Sequence, residues 1–263
     1  MKTLNVNGVE LAYQDEGKGA PVVFLHAFPL NQTMWNEQVA EFSATHRIIT
    51  LDWRGFGDSS LGAENSSPSI FADDLAGLLD RLKIERATIC GLSMGGYSAF
   101  AFYRKHAERV SALILCDTRA TADSEEGKQA RFEMAETARR NGASAMIEPM
   151  IPRLLGETTR QTKPAIIERV TKMIEVAQPE GIAQALIGMA CRNDSTDLLP
   201  QISCPTLIVV GEEDKLTPPS DAENMHRAIA SSQLQIINQA GHLPNLETTA
   251  TFNRIVGQFL NQT

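Results

Sequence analysis

No apolar run in the chain approaches the roughly 18 residues that a membrane span requires. Residues 1–8, MKTLNVNG, carry one positive charge and no apolar core, so they do not read as a signal peptide. Cysteine is scarce: the four residues, Cys90, Cys116, Cys191 and Cys204, show no C-x-x-C spacing. That excludes a zinc ribbon or a thioredoxin-like dithiol. Cys90, Cys116 and Cys204 sit in or beside apolar runs, where a free thiol behaves as a small hydrophobe. The expectation is a reduced, cytoplasmic protein that needs neither metal nor cofactor. Positive charge is also short, with 24 Lys and Arg against 32 Asp and Glu, a net charge of −8. A nucleic-acid binder that reads the phosphate backbone needs the opposite balance. Internal repeats and low-complexity tracts are missing as well.

What remains is an ordinary globular composition: 263 residues, 43% hydrophobic and 21% charged, enough for one large α/β domain. Short apolar runs alternate with helical patterns, the signature of crossover units on a mostly parallel sheet. The runs are residues 21–25, 47–51, 87–90, 112–116, 206–210 and 234–237. Most are apolar almost throughout, as strands buried on both faces are. Asn7-Gly8 between two short alternating runs predicts an antiparallel hairpin at one sheet edge. Ile70, Phe71, Leu75, Leu78, Leu79 and Leu82 recur at helical spacing behind Ser67-Pro68, an N-cap followed by a first-turn proline. Residues 95–107, 219–230 and 248–260 read as helices too. From 119 to 197 the alternation stops, and helical patterns broken by Gly and Pro replace it. The expected organisation is a core of residues 1–118 and 198–263, with a helical cap at 119–197 inserted after the sixth strand.

The chemistry concentrates where strands end. Gly91-Leu92-Ser93-Met94-Gly95-Gly96 follows a strand and opens a helix. A turn that tight needs flanking residues without bulk, and its strain lifts the serine hydroxyl clear of the sheet. The Met94 N–H, at the start of the helix, then points at a developing oxyanion. G-x-S-x-G arises by chance in about one chain in ten of this length, so the strand before it and the helix after it carry the weight.

A serine nucleophile needs a base. Of five histidines, His46, His106 and His226 lie in polar helical or pre-strand stretches and read as surface residues. His242 lies after the last strand, between Gly241 and the Leu243-Pro244 pair. Loops after parallel strands share one sheet edge, so His242 can reach Ser93. A carboxylate should orient the imidazole. Asp214, in the loop after the penultimate strand, and Asp117, at the end of the strand before the insertion, both qualify; Glu212 and Glu213 read as solvent-facing. A second oxyanion donor should come from His26-Ala27-Phe28-Pro29, where the Phe28 N–H is the natural choice, with His26 bracing the loop. Asp52-Trp53-Arg54-Gly55-Phe56-Gly57-Asp58-Ser59 reads as a structural turn.

Together these segments resemble the α/β-hydrolase superfamily, over essentially the whole chain except residues 119–197. The resemblance implies the order nucleophile, acid, histidine, and on that ground Asp214 rather than Asp117 is the acid beside Ser93 and His242. Within the superfamily the chain is similar to small bacterial carboxylesterases and 3-oxoadipate enol-lactonase-like hydrolases. This implies a small-molecule ester or lactone substrate and no cofactor. Ala27 departs from the pattern, since many members carry glycine there. Serine at 93 separates the chain from dehalogenases and epoxide hydrolases, which use aspartate. Perhydrolase, carbon–carbon hydrolase and slow-turnover receptor functions share the same constellation. In the insertion, Met134, Met146, Met150, Met173 and Met189 predict an adaptable aliphatic acyl pocket. Arg153, Arg160 and Arg192 are candidate clamps should the substrate be an acid.

Overall fold

The computed structural model describes residues 1–63 and 66–262. Its strands are β1 (Lys2–Val6), β2 (Val9–Glu16), β3 (Pro21–Leu25), β4 (Arg47–Leu51), β5 (Ala87–Leu92), β6 (Val110–Cys116), β7 (Thr206–Gly211) and β8 (Ser232–Ile237). They form one sheet in the order β1-β2-β4-β3-β5-β6-β7-β8. β1 pairs with β2 and β2 with β4 antiparallel, and every later pairing is parallel. The predicted hairpin is the β1–β2 edge. Asn7 and Gly8 take φ of 51° and 81°, the two left-handed positions that a two-residue turn between twisted strands demands.

The interior strands β5 and β7 are buried at every residue, whereas edge strand β8 is fully buried only at Ile237. That contrast is what covering by helices on both faces produces at a sheet's centre and not at its margin. The helices are α1 (Asn36–Phe42), α2 (Pro68–Arg81), α3 (Met94–His106), α4 (Glu125–Asn141), α5 (Ile147–Leu154), α6 (Glu157–Thr162), α7 (Pro164–Glu175), α8 (Pro179–Ala190), α9 (Pro219–Ala228), α10 (Pro244–Glu247) and α11 (Thr249–Leu260). The Ser67 side chain accepts the Ile70 N–H and caps α2, with Pro68 in the first turn. α2 packs on α3, and α1 on α11.

Between β6 and β7 the described residues form helices α4 to α8 and short 3-10 turns, with no strand. The two ends of this segment are tied together. Ser195 N–H donates to the Ala120 carbonyl at 2.8 Å, and Arg192 reaches the Thr121 carbonyl at 2.8 Å. α4 and α8 then run against each other as its principal pair. No helix among the described residues is long and apolar enough to cross a membrane. Cys90, Cys116 and Cys204 are buried free thiols, and Cys191 is exposed.

Candidate active site

Ser93 lies between β5 and α3 with φ 55° and ψ −113°, a left-handed, strained conformation for a residue with a Cβ. Such strain persists only where neighbours over-determine it. Here the Ser93 N–H donates to the Cys116 carbonyl at 3.0 Å. The Ser93 carbonyl accepts from Gly96 N–H at 2.8 Å, Tyr97 N–H at 3.1 Å and the Thr118 hydroxyl at 3.0 Å. The glycines are required by space: a Cβ at 91 would collide with the Gly95 carbonyl, and one at 95 with the Leu25 carbonyl of β3.

His242, 1% exposed, follows β8, and its Nδ1 lies 2.7 Å from Asp214 Oδ2. Asp214, in the loop after β7, also accepts Leu216 N–H at 2.8 Å, Thr217 N–H at 3.2 Å and the Thr217 hydroxyl at 2.7 Å. Burial pushes its carboxyl up, but the facing histidine and the Thr217 donors outweigh burial and hold it below the usual carboxylate range. The partner on Nδ1 leaves His242 Nε2 as the nitrogen for chemistry. That atom is buried and has no hydrogen-bond partner among the described residues. It fronts a cleft of about 180 Å³ that Ser93, Phe28, Leu216 and Thr217 also line. Ser93 and His242 thus share the cleft with no hydrogen bond between them.

The loop bearing His242 is fixed by Glu247, a carboxylate with no place in the expected triad. Glu247 of α10 accepts Gly241 N–H at 2.9 Å and Leu243 N–H at 3.0 Å, one on each side of His242, and Gly156 N–H at 2.8 Å from the insertion. The signal was its spacing, five residues beyond the histidine and across a proline.

The backbone N–H groups of Phe28 and Met94 donate to nothing among the described residues. Phe28 lines the cleft from the loop after β3, and Met94, next to Ser93, opens α3. His26 braces the Phe28 loop. Its Nδ1 pairs with the Ala27 carbonyl at 2.9 Å and its Nε2 accepts Trp53 N–H at 3.1 Å, while complete burial lowers its pKa to about 4. It is therefore neutral and fully engaged. Asp52 accepts Gln32 N–H at 2.7 Å and Asp58 N–H at 3.1 Å, and Arg54 forms a buried bidentate pair with Asp74 at 2.7 Å. This segment is structural, as expected.

One expectation needs adjustment. Glu212 is exposed, but Glu213 is half-buried and accepts the N–H of Thr158 at 2.9 Å at the start of α6. Asp117 does not hydrogen-bond His242, yet it lies beside the pair. One carboxyl oxygen of Asp117, one of Asp214 and a ring nitrogen of His242 all fall within 4.8 Å of one another. A trio of this kind could in principle hold a cation. However, the Asp214 oxygens and His242 Nδ1 are already committed to each other and to Thr217 and Leu216, which favours a hydrogen-bonded relay.

The far wall of the cleft comes from the insertion and its stem: Met134, Met150, Leu186 and Met189, with Arg119, Arg131 and Arg153. Three arginines and a single carboxylate, Asp123, thus line the cleft, in a protein whose net charge is −8. Asp123 is contacted by Arg119 at 3.3 Å, Arg131 at 2.5 Å and Arg192 at 2.7 Å. Burial raises its carboxyl, but Arg192 and Arg131 prevail and bring its pKa to about 2. Arg192 also lies over the Tyr97 ring, 4.2 Å from its centroid. Of the three arginines expected from sequence, Arg153 lines the cleft, Arg192 stands behind it, and Arg160 is not among its lining residues. Arg119 and Arg131 were missed. Gly127, Ala130, Arg131 and Met134 share one face of α4 at i, i+3, i+4 and i+7, and that small-residue stripe was the readable sign.

The family model describing the α/β hydrolase fold matches residues 20–249. The chain is 30% identical over 258 residues to 3-oxoadipate enol-lactonase 1 of Acinetobacter baylyi, covering 97% of this chain and 95% of the relative. Among solved structures, a malate-bound thermophilic esterase from Thermogutta terrifontis is 46% identical with a TM-score of 0.95, over 99% of this chain and 96% of that one. The enol-lactonase from Burkholderia xenovorans is 29% identical with a TM-score of 0.92, over 99% of this chain and 100% of its own.

Proposed function

This chain belongs to the α/β-hydrolase fold family, and we propose that it is a carboxylic ester hydrolase working through an acyl-enzyme on Ser93. The observation that carries the reading is the buried His242–Asp214 pair, 2.7 Å apart, fronting the same cleft as a serine in a strained strand-to-helix turn. His242 Nε2 takes the Ser93 proton as Oγ attacks the ester carbonyl. Asp214 keeps the imidazole in the Nδ1–H tautomer and stabilises the imidazolium. The unengaged N–H groups of Phe28 and Met94 receive the oxyanion, a contribution worth about 3–4 kcal/mol per donor in comparable sites. The protonated His242 then gives its proton to the departing alcohol, and the Ser93 acyl ester is hydrolysed by water activated on the same nitrogen.

In this reading residues 119–197 act as the cap that shapes the acyl pocket. The T. terrifontis esterase and the two enol-lactonases support the ester-hydrolase class. One observation favours a second, narrower reading. The arginine-rich wall suits a substrate with a free carboxylate, as a lactone of the 3-oxoadipate enol type carries.

The test is turnover of p-nitrophenyl acetate beside an anionic lactone, with parent protein and Ser93→Ala. Sustained turnover that Ser93→Ala abolishes supports the hydrolase. One product equivalent followed by silence would indicate a slow receptor. A preference of more than about a thousandfold for the lactone, on the order of 4 kcal/mol in transition-state binding, would make it a lactonase.

A further inference from the structure

Directly after β6 stands an aspartate that the reaction above leaves unused. Asp117 is 1% exposed and has a left-handed backbone at φ 43°. Its Oδ1 accepts the Gly211 N–H at 2.8 Å, while its Oδ2 is buried and has no hydrogen-bond partner among the described residues. An orphaned buried carboxyl oxygen is rare in a native protein and needs a reason. The titratable groups that face Asp117 are Asp214 and His242, from the loops after β7 and β8, Glu247 of α10 and the adjoining Cys116. Glu247 is committed to three backbone N–H groups, leaving the His242–Asp214 pair as the neighbours that can change.

We propose that Asp117 is a second orienting carboxyl for His242, silent while Asp214 bears the negative charge and recruited when that charge is removed. This rests on reading His242 as the base. Two carboxyls within 4.8 Å of each other in a dry site share one proton, because both cannot ionise cheaply. The better-solvated partner keeps the charge. Asp214 has four donor contacts, from Leu216, Thr217 twice and His242, whereas Asp117 has only the Gly211 N–H. Burial first, and the Asp214 charge second, hold the Asp117 carboxyl well above the usual carboxylate range. Asparagine at 214 removes the second cause. The Asp117 proton then departs to solvent at lower pH and leaves a carboxylate within 4.8 Å of the His242 ring. From there it stabilises the imidazolium that forms as Ser93 gives up its proton. Asp117 touches no reacting atom, so it is a positioning residue.

The experiment measures kcat/KM for p-nitrophenyl acetate from about pH 6 to about pH 10, corrected for spontaneous hydrolysis, in Asp117→Asn, Asp214→Asn and the double variant. Asparagine at 117 keeps an oxygen for the Gly211 N–H. Asp117→Asn should cost less than about fivefold, Asp214→Asn about 100-fold near neutrality, and the double variant about 10⁴-fold, the usual loss when no acid orients the histidine. The rate of Asp214→Asn should climb with pH as Asp117 ionises, and that climb should vanish in the double variant. Equal rates for Asp214→Asn and the double variant at every pH would overturn the proposal, as would a loss in Asp117→Asn as large as that in Asp214→Asn. Should the Asp117 variants fail to fold, Asp214→Asn alone decides: a rate that does not climb with pH overturns the idea. Ser93→Ala and His242→Ala distinguish the two levels of failure. If either retains parental turnover, the triad reading falls; if both are dead and the Asp214→Asn and double variants match, only the reserve carboxyl falls.

Discussion

The two walls of the cleft are built on different principles. On the sheet side, position comes from the main chain. Ser93 is pinned by four hydrogen bonds at its own N–H and carbonyl, and His242 by Glu247 gripping the N–H groups on either side. On the insertion side, position comes from side chains projecting off helices, above all α4 and α8, and the lining groups are long: methionines and arginines. A main chain held at many points fixes reacting atoms to fractions of an ångström, which chemistry needs. Methionine and arginine on helix faces yield, and yielding surfaces grade substrates rather than select one. Chemistry and specificity should therefore fail separately.

The sharpest separation is expected at the base. His242→Ala should lower kcat by about 10⁵–10⁶, as in other hydrolases that lose one member of a unit acting together, and for every substrate alike. Measuring the loss on acetyl, hexanoyl and anionic esters checks this. A loss that depends on the acyl group would blur the boundary between the walls. Next come the arginines. Arg131→Gln and Arg153→Gln should each reduce the preference for an anionic ester over its neutral isostere by about tenfold, the worth of one charge-assisted contact. The readout is the ratio of kcat/KM for monomethyl glutarate p-nitrophenyl analogues with and without the free acid. A smaller effect belongs to the methionines. Met150→Ala or Met189→Ala should move the chain-length optimum longer by one or two methylenes, each changing transition-state binding by about 1–3 kcal/mol. A p-nitrophenyl series from acetyl to octanoyl detects the shift.

The mildest prediction concerns stability. The folded pKa of Asp123, about 2, is depressed by its arginines, so its stabilising contribution is present above the ordinary aspartate pKa and lost as pH falls towards 2. Asp123→Asn should melt several degrees below the parent at neutral pH, and the gap should close in strong acid. A gap that persists unchanged at the lowest pH would place the effect in packing and not in charge.

The same contrast explains what could be read in advance. Ser93, His242, the Ser67-Pro68 helix start and the Asn7-Gly8 turn were legible because each demands unusual residues at fixed spacing. Choosing Asp214 over Asp117 was not possible on chemistry alone. Both follow strands at one sheet edge, and only the Thr217 and Leu216 donors, supplied by the path of the loop after β7, separate them. The arginine wall was half-hidden for a different reason. Arg131 sits among the Glu, Lys and Arg residues of α4, where a solvated face and a cleft-facing charge look the same in one dimension. Asp123 gathers Arg119 from its own segment, Arg131 from α4 and Arg192 from beyond α8, and the last of these joins the cluster only in three dimensions.

The central claim is that Ser93 alone forms the covalent intermediate, and the most direct test is active-site labelling. A fluorophosphonate probe followed by peptide mass spectrometry should place one adduct on the peptide containing Ser93 in the parent, sharply slowed in His242→Ala and missing in Ser93→Ala. An adduct of equal stoichiometry in folded Ser93→Ala protein would contradict the account.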